Sequence, residues 1–386
     1  MRRKEIDPRK THHRIIAAAR LRSEACTQAE IAERLGISQS EVCRLLVEAV
    51  KQRFLSRAPA LLRHNISAED YKEAEQAYLT QGNLAQVLKP VVPPNIHFEV
   101  RVAPGNERTF ASSAASRVVD LIVRSRRIGI MWGRNVFELV RGLVALWDAR
   151  DPVGMPAVQC IPLCGDPLFL INDRRVKYSA SHLAAMLEEA LDPTQPGGLP
   201  CLSGIPAYIS YQRAQESGTT LAAWRKFFAG VPGYNAIFGG IRGSATPLIR
   251  RLYTIITGVG TIVLTREAQW RETGDFIKER LDQDCLSKQE MHRLIYGDIG
   301  GILLAREGLS AGDMKQIDQL NAGWMGMRLS HWQAVARAAA PKGAPGVIVV
   351  AYGPWKAEMV RKIIQLGLVN QLIVDATLAD ALLTEP

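Results

Sequence analysis

The stretch from Thr27 to Leu46 reads "TQAEIAERLGISQSEVCRLL" and decides the fold at the start of the chain. Apolar residues recur at helical spacing on both sides of a break, and the break holds Gly36. Glycine tolerates the positive φ that a sharp turn after a helix requires. Ser38 then fits an N-cap, and Glu41 three residues later completes a capping-box pattern. The stretch therefore predicts a helix, a tight turn and a second helix.

The second helix of this unit would present polar side chains near its first turn. Such residue types suit base edges and phosphates in the major groove of DNA. The predicted DNA-contacting residues of the helix are Ser38, Gln39, Ser40, Glu41 and Arg44. A further helix from Arg14 to Arg22 would precede the pair. The alternative, a structural helix pair that binds no DNA, stays open at this point.

The charge of the N-terminal segment favours a polyanionic partner. The formal net charge of the 386-residue chain is +10, and residues 1–22 hold eight Lys or Arg against two acids. Their net charge of +6 is more than half of the total. The arm that contains Arg2, Arg3 and Lys4 would add contacts to DNA phosphates beside the helical unit. A solvated tail without a partner is the alternative.

The composition is that of a globular protein with a sizeable core, because 47% of the residues are hydrophobic and 22% are charged. The sequence shows no apolar run of about 18 residues, and no long apolar core follows the charged N-terminus. We therefore expect neither a membrane span nor a secretory signal. The six cysteines form no C-x-x-C pair and have no zinc-spaced histidines nearby. These features predict a cytoplasmic protein with reduced cysteines, no metal and no cofactor.

The chain divides into three parts by its sequence pattern. Residues 1–57 would form the helix-turn-helix domain, residues 58–95 a linker or oligomerisation segment, and residues 96–386 the effector domain. Strands and helices alternate along the third part, which predicts an α/β domain with a mostly parallel sheet. Strands are expected within residues 95–103, 126–133, 156–163, 252–263, 346–353 and 370–376, and helices within 110–123, 136–147, 179–191, 355–368 and 377–383.

Glycine-containing loops follow several of the expected strands, at the edge where open α/β sheets bind ligands. Gly133 and Asn135 flank Arg134 between a strand and a helix, where backbone N–H groups and a guanidinium suit an anion. Gly258 and Gly260 follow another strand. Because turns use glycine routinely, each loop taken alone also fits a structural role.

Two charged residues add to this edge. Lys356 would lie at the start of a helix, where a cation opposes the helix dipole and an anionic ligand would relieve the conflict. A solvent-facing lysine is the alternative. Asp298 and Asp375 end apparent strands, although Asp375 also fits an N-cap.

The chain resembles the SorC-type regulators, a family of bacterial sugar-responsive transcription factors, nearly from end to end. The 27–46 stretch is similar to the DNA-binding segment of that family, and "GIMWGRNV" resembles its W-G-R-T loop. The remaining similar segments are "PLCGDP" (162–167), "GLPCLSGIPAYI" (198–209), "TGVGTI" (257–262), "YGDIGGILL" (296–304) and the closing unit 349–383. Their common order makes the resemblance more specific than any one of them.

The resemblance implies a Rossmann-like effector domain akin to sugar-phosphate isomerases and deaminases. It also implies a phosphorylated sugar as effector and a homodimer or homotetramer as the working state. The residues that it places near the ligand are Gly133, Arg134, Gly258, Gly260, Asp298 and Lys356. Asn135, Tyr352 and Cys164 depart from the family pattern, which has threonine, glycine and asparagine there. These departures would change the shape and hydrogen bonding of the pocket.

The sequence thus predicts a transcription regulator that binds double-stranded operator DNA and responds to a sugar phosphate. The alternative is an isomerase-like or deaminase-like enzyme with a DNA-binding head. The sequence lacks the P-loop, H-E-x-x-H and G-x-S-x-G motifs, and it shows no recognisable acid/base pair in one loop. We therefore assign no catalytic residue and expect no enzyme activity.

Overall fold

The computed structural model describes residues 8–24, 26–55, 65–67, 69–70, 82–107, 109–123, 125–148, 158–166, 177–191, 201–239, 246–264, 277–278, 280 and 283–383. These residues form a helical head at the N-terminus and a larger α/β domain after it. No helix in this part of the chain combines the length and the apolar character needed to cross a membrane.

The head is the predicted helix-turn-helix, preceded by a longer first helix. Its helices are α1 (Pro8–Ser23), α2 (Gln28–Leu35) and α3 (Gln39–Lys51). Ile16, Ile31 and Val42, one from each helix, are fully buried in a shared core, and Ile37 of the turn packs against it. The head therefore has a hydrophobic core of its own.

The turn of the head forms largely as its sequence predicts. Gly36 ends α2 with φ of 62°, and the Ser38 hydroxyl accepts the N–H of Glu41 at 3.2 Å to cap α3. The reciprocal half of the predicted capping box is wrong, because the Glu41 carboxylate instead lies 3.6 Å from Arg14 of α1. A complete capping box does occur one helix earlier, at Thr27.

The predicted linker is described only in part. Residues 56–64 and 71–81 lie outside the described residues. Helix α4 (Gly82–Leu88) and a 3₁₀ turn (Lys89–Val91) then lead to the first strand.

A six-stranded parallel sheet forms the centre of the α/β domain, as the alternating pattern predicts. Its strands are β1 (Glu99–Val102), β2 (Arg127–Ile130), β3 (Gln159–Pro162), β4 (Thr254–Thr257), β8 (Gly346–Ala351) and β9 (Gln371–Val374). Their order across the sheet is β1-β9-β8-β4-β2-β3, and every neighbouring pair is parallel. Every residue of β4, β8 and β9 is buried because both faces of the sheet are covered, whereas burial alternates along the edge strand β1.

Helices cover the two faces of this sheet. One core holds Ile256 and Ile348 with α5 (Phe110–Ile122), α6 (Arg134–Asp148) and α7 (Ala180–Leu191). The opposite core holds Ile255 and Val347. The other helices are α8 (Tyr211–Glu216), α9 (Leu221–Ala229), α10 (Pro232–Phe238), α11 (Lys288–Leu294), α12 (Ala311–Ala322), α13 (Leu329–Lys342), α14 (Ala357–Gln365) and α15 (Ala376–Leu383).

A second, antiparallel sheet was not predicted from the sequence. The strand predicted within 252–263 ends at the glycines, as expected, because the chain leaves β4 at Gly258. The residues that follow then form a strand of another sheet, which was not expected. This sheet consists of β5 (Val259–Thr261), β6 (Ile295–Ile299) and β7 (Ile302–Ala305), in that order. Gly260 of β5 lies directly opposite Asp298 of β6.

Candidate DNA-binding and effector sites

The outer face of α3 places the predicted DNA-contacting side chains unequally. Gln39, Ser40 and Arg44 are exposed on the first turns of the helix. Ser38 is exposed as well, but its hydroxyl is engaged in the cap and contacts the Ser40 hydroxyl at 2.9 Å. Glu41 pairs with Arg14. Gln39 and Arg44 are thus the predicted residues whose side chains are exposed and make no hydrogen bond or ion pair with the described residues of the head, whereas Ser40 is exposed and contacts Ser38.

The basic arm with Arg2, Arg3 and Lys4 lies outside the described residues. Its contribution to DNA binding stays a prediction from the sequence.

The predicted effector residues meet at the carboxyl edge of the parallel sheet. Gly133 follows β2, Gly258 follows β4, Lys356 lies in the loop after β8, and Asp375 follows β9. These strands are neighbours in the order β9-β8-β4-β2. The sheet therefore brings together loops that are separated by up to 242 residues in the sequence, from Gly133 to Asp375.

Gly133 opens the first turn of α6. Its φ is 127°, and its carbonyl accepts the N–H of Phe137 at 2.9 Å. A Cβ added at Gly133 would meet no atom within 4 Å, so space lies in front of this backbone. Arg134 and Asn135 follow as half-buried residues of the first helical turn. The first N–H groups of a helix have no partner within the helix, which suits the binding of an anion here.

Lys356 is the buried cation of this edge. It lies at the end of a 3₁₀ turn (Pro354–Lys356) immediately before α14, and only 7% of it is exposed. The alternative of a solvent-facing lysine is therefore wrong. Burial lowers the pKa of Lys356 to about 8, with Arg134 acting in the same direction and Asp298 and Asp375 against it. Within the described residues, Lys356 makes no ion pair and no side-chain hydrogen bond.

Asp298 faces the same region from the antiparallel sheet. Burial raises the pKa of its carboxyl to about 6, although the Gly301 N–H donates to it at 3.0 Å and Lys356 lies near. A Cβ added at Gly260 would lie 2.0 Å from Oδ1 of Asp298. Gly260 is therefore needed to make room for the Asp298 carboxylate, which is a spatial role that the sequence alone does not reveal.

Asp375 connects the two last loops of this edge. Its carboxylate accepts the Gly353 N–H at 2.8 Å and the Thr377 N–H at 3.1 Å. It thus caps α15, as the sequence suggested, and also holds the loop that carries Lys356.

The residues that depart from the family pattern have distinct surroundings. Tyr352 packs against Phe110 of α5, with 5.5 Å between ring centroids, and against Trp355 at 6.2 Å. Tyr352 therefore fills space between the start of α5 and the loop after β8, at the carboxyl edge of the parallel sheet. Cys164 is fully buried in the core and does not line the edge as an accessible side chain. The described residues contain no His, Cys, Asp or Glu group that could hold a metal ion.

A buried charge cluster joins the head to the effector domain, and the sequence analysis missed it. Glu24, immediately after α1, accepts a hydrogen bond from Nε of Arg20, four residues earlier, and lies 3.1 Å from Arg117 of α5. The side chains of Glu24 and Arg117 are 1% and 2% exposed. Arg20 also lies 3.7 Å from Asp120 of α5. The lone arginine within the apolar stretch of α5 was the signal that could have indicated a buried partner.

Comparisons with known proteins agree with this architecture. The sequence model of the MarR family matches residues 8–60, which contain the head. The full-length sorbitol operon regulator SorC from Klebsiella pneumoniae has a similar structure, with a TM-score of 0.51 and 19% sequence identity, over 96% of this chain and 98% of that one. No curated protein matches the chain in sequence.

Two further structures have lower TM-scores and cover less of this chain. A transcriptional regulator from Streptococcus pneumoniae has a TM-score of 0.48 and 16% identity, over 78% of this chain and 95% of that chain. A DeoR family transcriptional regulator from Listeria monocytogenes has a TM-score of 0.46 and 14% identity, over 78% and 96%. The fold of this chain, a helix-turn-helix head followed by a parallel α/β domain, matches full-length SorC over nearly the whole length of both chains.

Proposed function

We propose that this chain is a transcription regulator whose affinity for operator DNA is set by a phosphorylated sugar bound at the carboxyl edge of the parallel sheet. The proposal of a sugar-phosphate site rests on the burial of Lys356. Its ammonium group belongs to a residue that is 7% exposed and makes no ion pair within the described residues. A buried charge without a partner is costly. An anionic ligand would supply that partner.

The neighbours of Lys356 suit a phosphate group. Gly133 leaves open space at the first turn of α6, and Arg134 stands on that turn. A helix N-terminus, a guanidinium and an ammonium together form a favourable environment for a dianion. Asp298 and Asp375 would offer acceptors for sugar hydroxyls at the same edge.

DNA binding is assigned to the exposed side of α3. Gln39 and Arg44 are of the types that read adenine and guanine edges, respectively, and two heads in a homodimer or homotetramer would read two half-sites. The resemblance of the fold to the sorbitol operon regulator SorC supports this function. Turnover is not part of the proposal.

The coupling between effector binding and DNA binding would pass through α5. Its first residue, Phe110, contacts Tyr352 of the effector edge, and its Arg117 pairs with Glu24 of the head. The α1 helix then reaches the recognition helix through the Arg14–Glu41 pair. A ligand that shifts Tyr352 would bias the position of α5, and ligand and DNA would change one another's affinity by the same factor.

The function is tested by a gel shift on DNA from upstream of the operon that contains the gene for this chain, against scrambled DNA, with a panel of hexose and pentose phosphates. A specific shift that one sugar phosphate alters is the expected result. Lys356→Ala should abolish that alteration and leave the shift itself intact, and the exposed Lys315→Ala serves as the control. A response that survives in Lys356→Ala would contradict the assignment of the effector site.

Arg44→Ala tests the DNA-binding part separately. It should weaken specific binding by about 1–3 kcal/mol without unfolding the head, because the side chain is exposed. Unchanged affinity would remove Arg44 from the interface. Consumption of any sugar phosphate by the purified protein would favour the enzyme alternative.

A further inference from the structure

The amino edge of the parallel sheet, opposite the effector edge, collects basic residues from three loops. Arg126 and Arg127 enter β2, Arg251 precedes β4, and Lys342 ends the helix before β8. Because β8, β4 and β2 are adjacent in the sheet, the starts of these three strands lie side by side. Residues up to 216 positions apart in the sequence, from Arg126 to Lys342, thus converge on one edge.

A cleft of about 820 Å³ lies at this edge, and all four cations line it. Its walls also contain apolar side chains of α5 and α13, and the ring of Tyr253. Lys342 lies over that ring, 5.5 Å from its centroid. The volume is in the range of sites that hold small molecules, roughly 300–1,000 Å³.

The charges of the cleft are not neutralised by the protein. Arg126, Arg251 and Lys342 are exposed and form no ion pair with the described residues. Arg127 donates to the neutral amide of Gln159 at 3.1 Å. The one acid of the lining, Asp120, already lies 3.7 Å from Arg20 of the head.

Helix ends do not account for this excess of positive charge. The C-termini of α5 and α13 point toward the edge, and each contributes roughly half a negative charge. Together with Asp120 they offset about two of the four cations. No side chain of Arg126, Arg251 or Lys342 donates a hydrogen bond to a helix carbonyl within the described parts of the chain.

We propose that this basic cleft is a second binding site, for a small anion that carries two or more phosphate groups. Guanidinium groups bind phosphate oxygens in a fork geometry, and several converging cations match a ligand with several charged groups. The apolar walls and the Tyr253 ring would contact the body of such a ligand. The site is separate from the Lys356 edge and does not depend on the function proposed above.

The shape of the site favours a small anion over the backbone of DNA. The four cations line a concavity between α5 and α13, whereas a duplex is contacted by side chains that reach outward from a surface. Binding to duplex DNA through these residues is therefore kept as an outcome that would overturn the proposal.

Calorimetric titration of the full chain with inorganic pyrophosphate tests the site. Pyrophosphate should bind, and more weakly at 300 mM than at 50 mM salt, because ions screen exposed charges. The double variant Arg251→Gln/Lys342→Gln should weaken binding about ten-fold or more, since it removes two charge-assisted contacts. Both side chains are exposed, so the fold should be retained.

Matched controls separate this site from others. The double variant Lys226→Gln/Lys315→Gln removes the same charge at exposed positions outside the cleft and should bind pyrophosphate as the unmodified chain does. The titrations are repeated in the Lys356→Ala background, so that pyrophosphate bound at the carboxyl edge does not contribute to the measured heat. Absence of binding, or equal affinity in the Arg251→Gln/Lys342→Gln variant, would overturn the proposal. So would a selective loss of duplex DNA binding in the cleft variant.

Discussion

The head and the effector edge differ in how their candidate site residues are arranged along the chain. In the head they lie within one stretch, from Ser38 to Arg44, and Gln39, Ser40 and Arg44 point to solvent. At the carboxyl edge of the parallel sheet they come from several loops and from β5 and β6 of the antiparallel sheet, and Lys356 and Asp298 are buried. One exposed helix on a small core can contact DNA, because the duplex is large and binds at the surface of the protein. A site that encloses a small anion needs converging loops and excluded water.

The two regions also differ in how their charged groups affect the free energy of unfolding. Exposed side chains such as Arg44 stay solvated and have little effect on stability. Lys356 and Asp298 are desolvated, and their pKa values move toward neutrality for that reason. Under the proposed function, an anion that binds at Lys356 would recover part of this desolvation cost.

The largest expected effect is at the junction of the two regions. Glu24→Ala leaves Arg20 and Arg117 without the carboxylate that they share, so the free energy of unfolding should fall by about 3–5 kcal/mol. Urea unfolding measures this change. Glu33→Ala, an exposed acid of α2, is the control and should change stability by less than about 0.5 kcal/mol. Equal effects of the two substitutions would show that the buried cluster does not hold the head in place.

Gly260→Ala should have the next largest effect, and only on the effector domain. Its Cβ would collide with the Asp298 carboxylate, and crowding of this kind costs about 1–3 kcal/mol. Gly312→Ala on α12 is the matched control, because its Cβ would meet only the Ser310 hydroxyl at 3.7 Å. That variant should gain up to about 1 kcal/mol. Thermal unfolding compares the two, and an unchanged Tm in Gly260→Ala would show that Asp298 moves aside freely.

The pH dependence of the two sites should differ. With a pKa of about 8, Lys356 is charged at pH 7 and mostly neutral at pH 9. Affinity for a sugar phosphate is therefore retained below pH 8 and lost as pH rises through it, by about ten-fold between pH 7 and 9. DNA binding without effector should stay level over this range, because guanidinium groups remain charged. A sugar-phosphate affinity that does not fall would exclude Lys356 as its partner.

The smallest effect is expected at the cap of the recognition helix. Ser38→Ala removes the acceptor of the Glu41 N–H and should cost about 1 kcal/mol. Ser40→Ala, which loses only a hydroxyl contact with Ser38, should be close to neutral. Circular dichroism during urea unfolding measures the stability of the helices. Similar decreases in the free energy of unfolding of both variants would contradict the capping role of Ser38.

Individual elements show how far prediction from the sequence reached. The helix-turn-helix, the parallel strands that were described and the loop positions of Gly133 and Lys356 agree with their predictions. The antiparallel sheet was missed because Gly258 divides one apolar run between two sheets. The capping box at Ser38 was half wrong because Arg14, from another helix, attracts Glu41. The roles of the proposed site residues stay predictions.

The sequence by itself determined the features that depend on near neighbours in the chain. Gly36 permits the left-handed turn, Ser38 caps the helix that follows, and apolar periodicity sets helices and strands, since these interactions span only a few residues. Only the tertiary structure decided that Lys356 is buried near Asp298, that Glu24 is shared by two arginines, and that four cations line one cleft. Burial and charge depend on which distant segments the sheet brings together, and no local pattern records that.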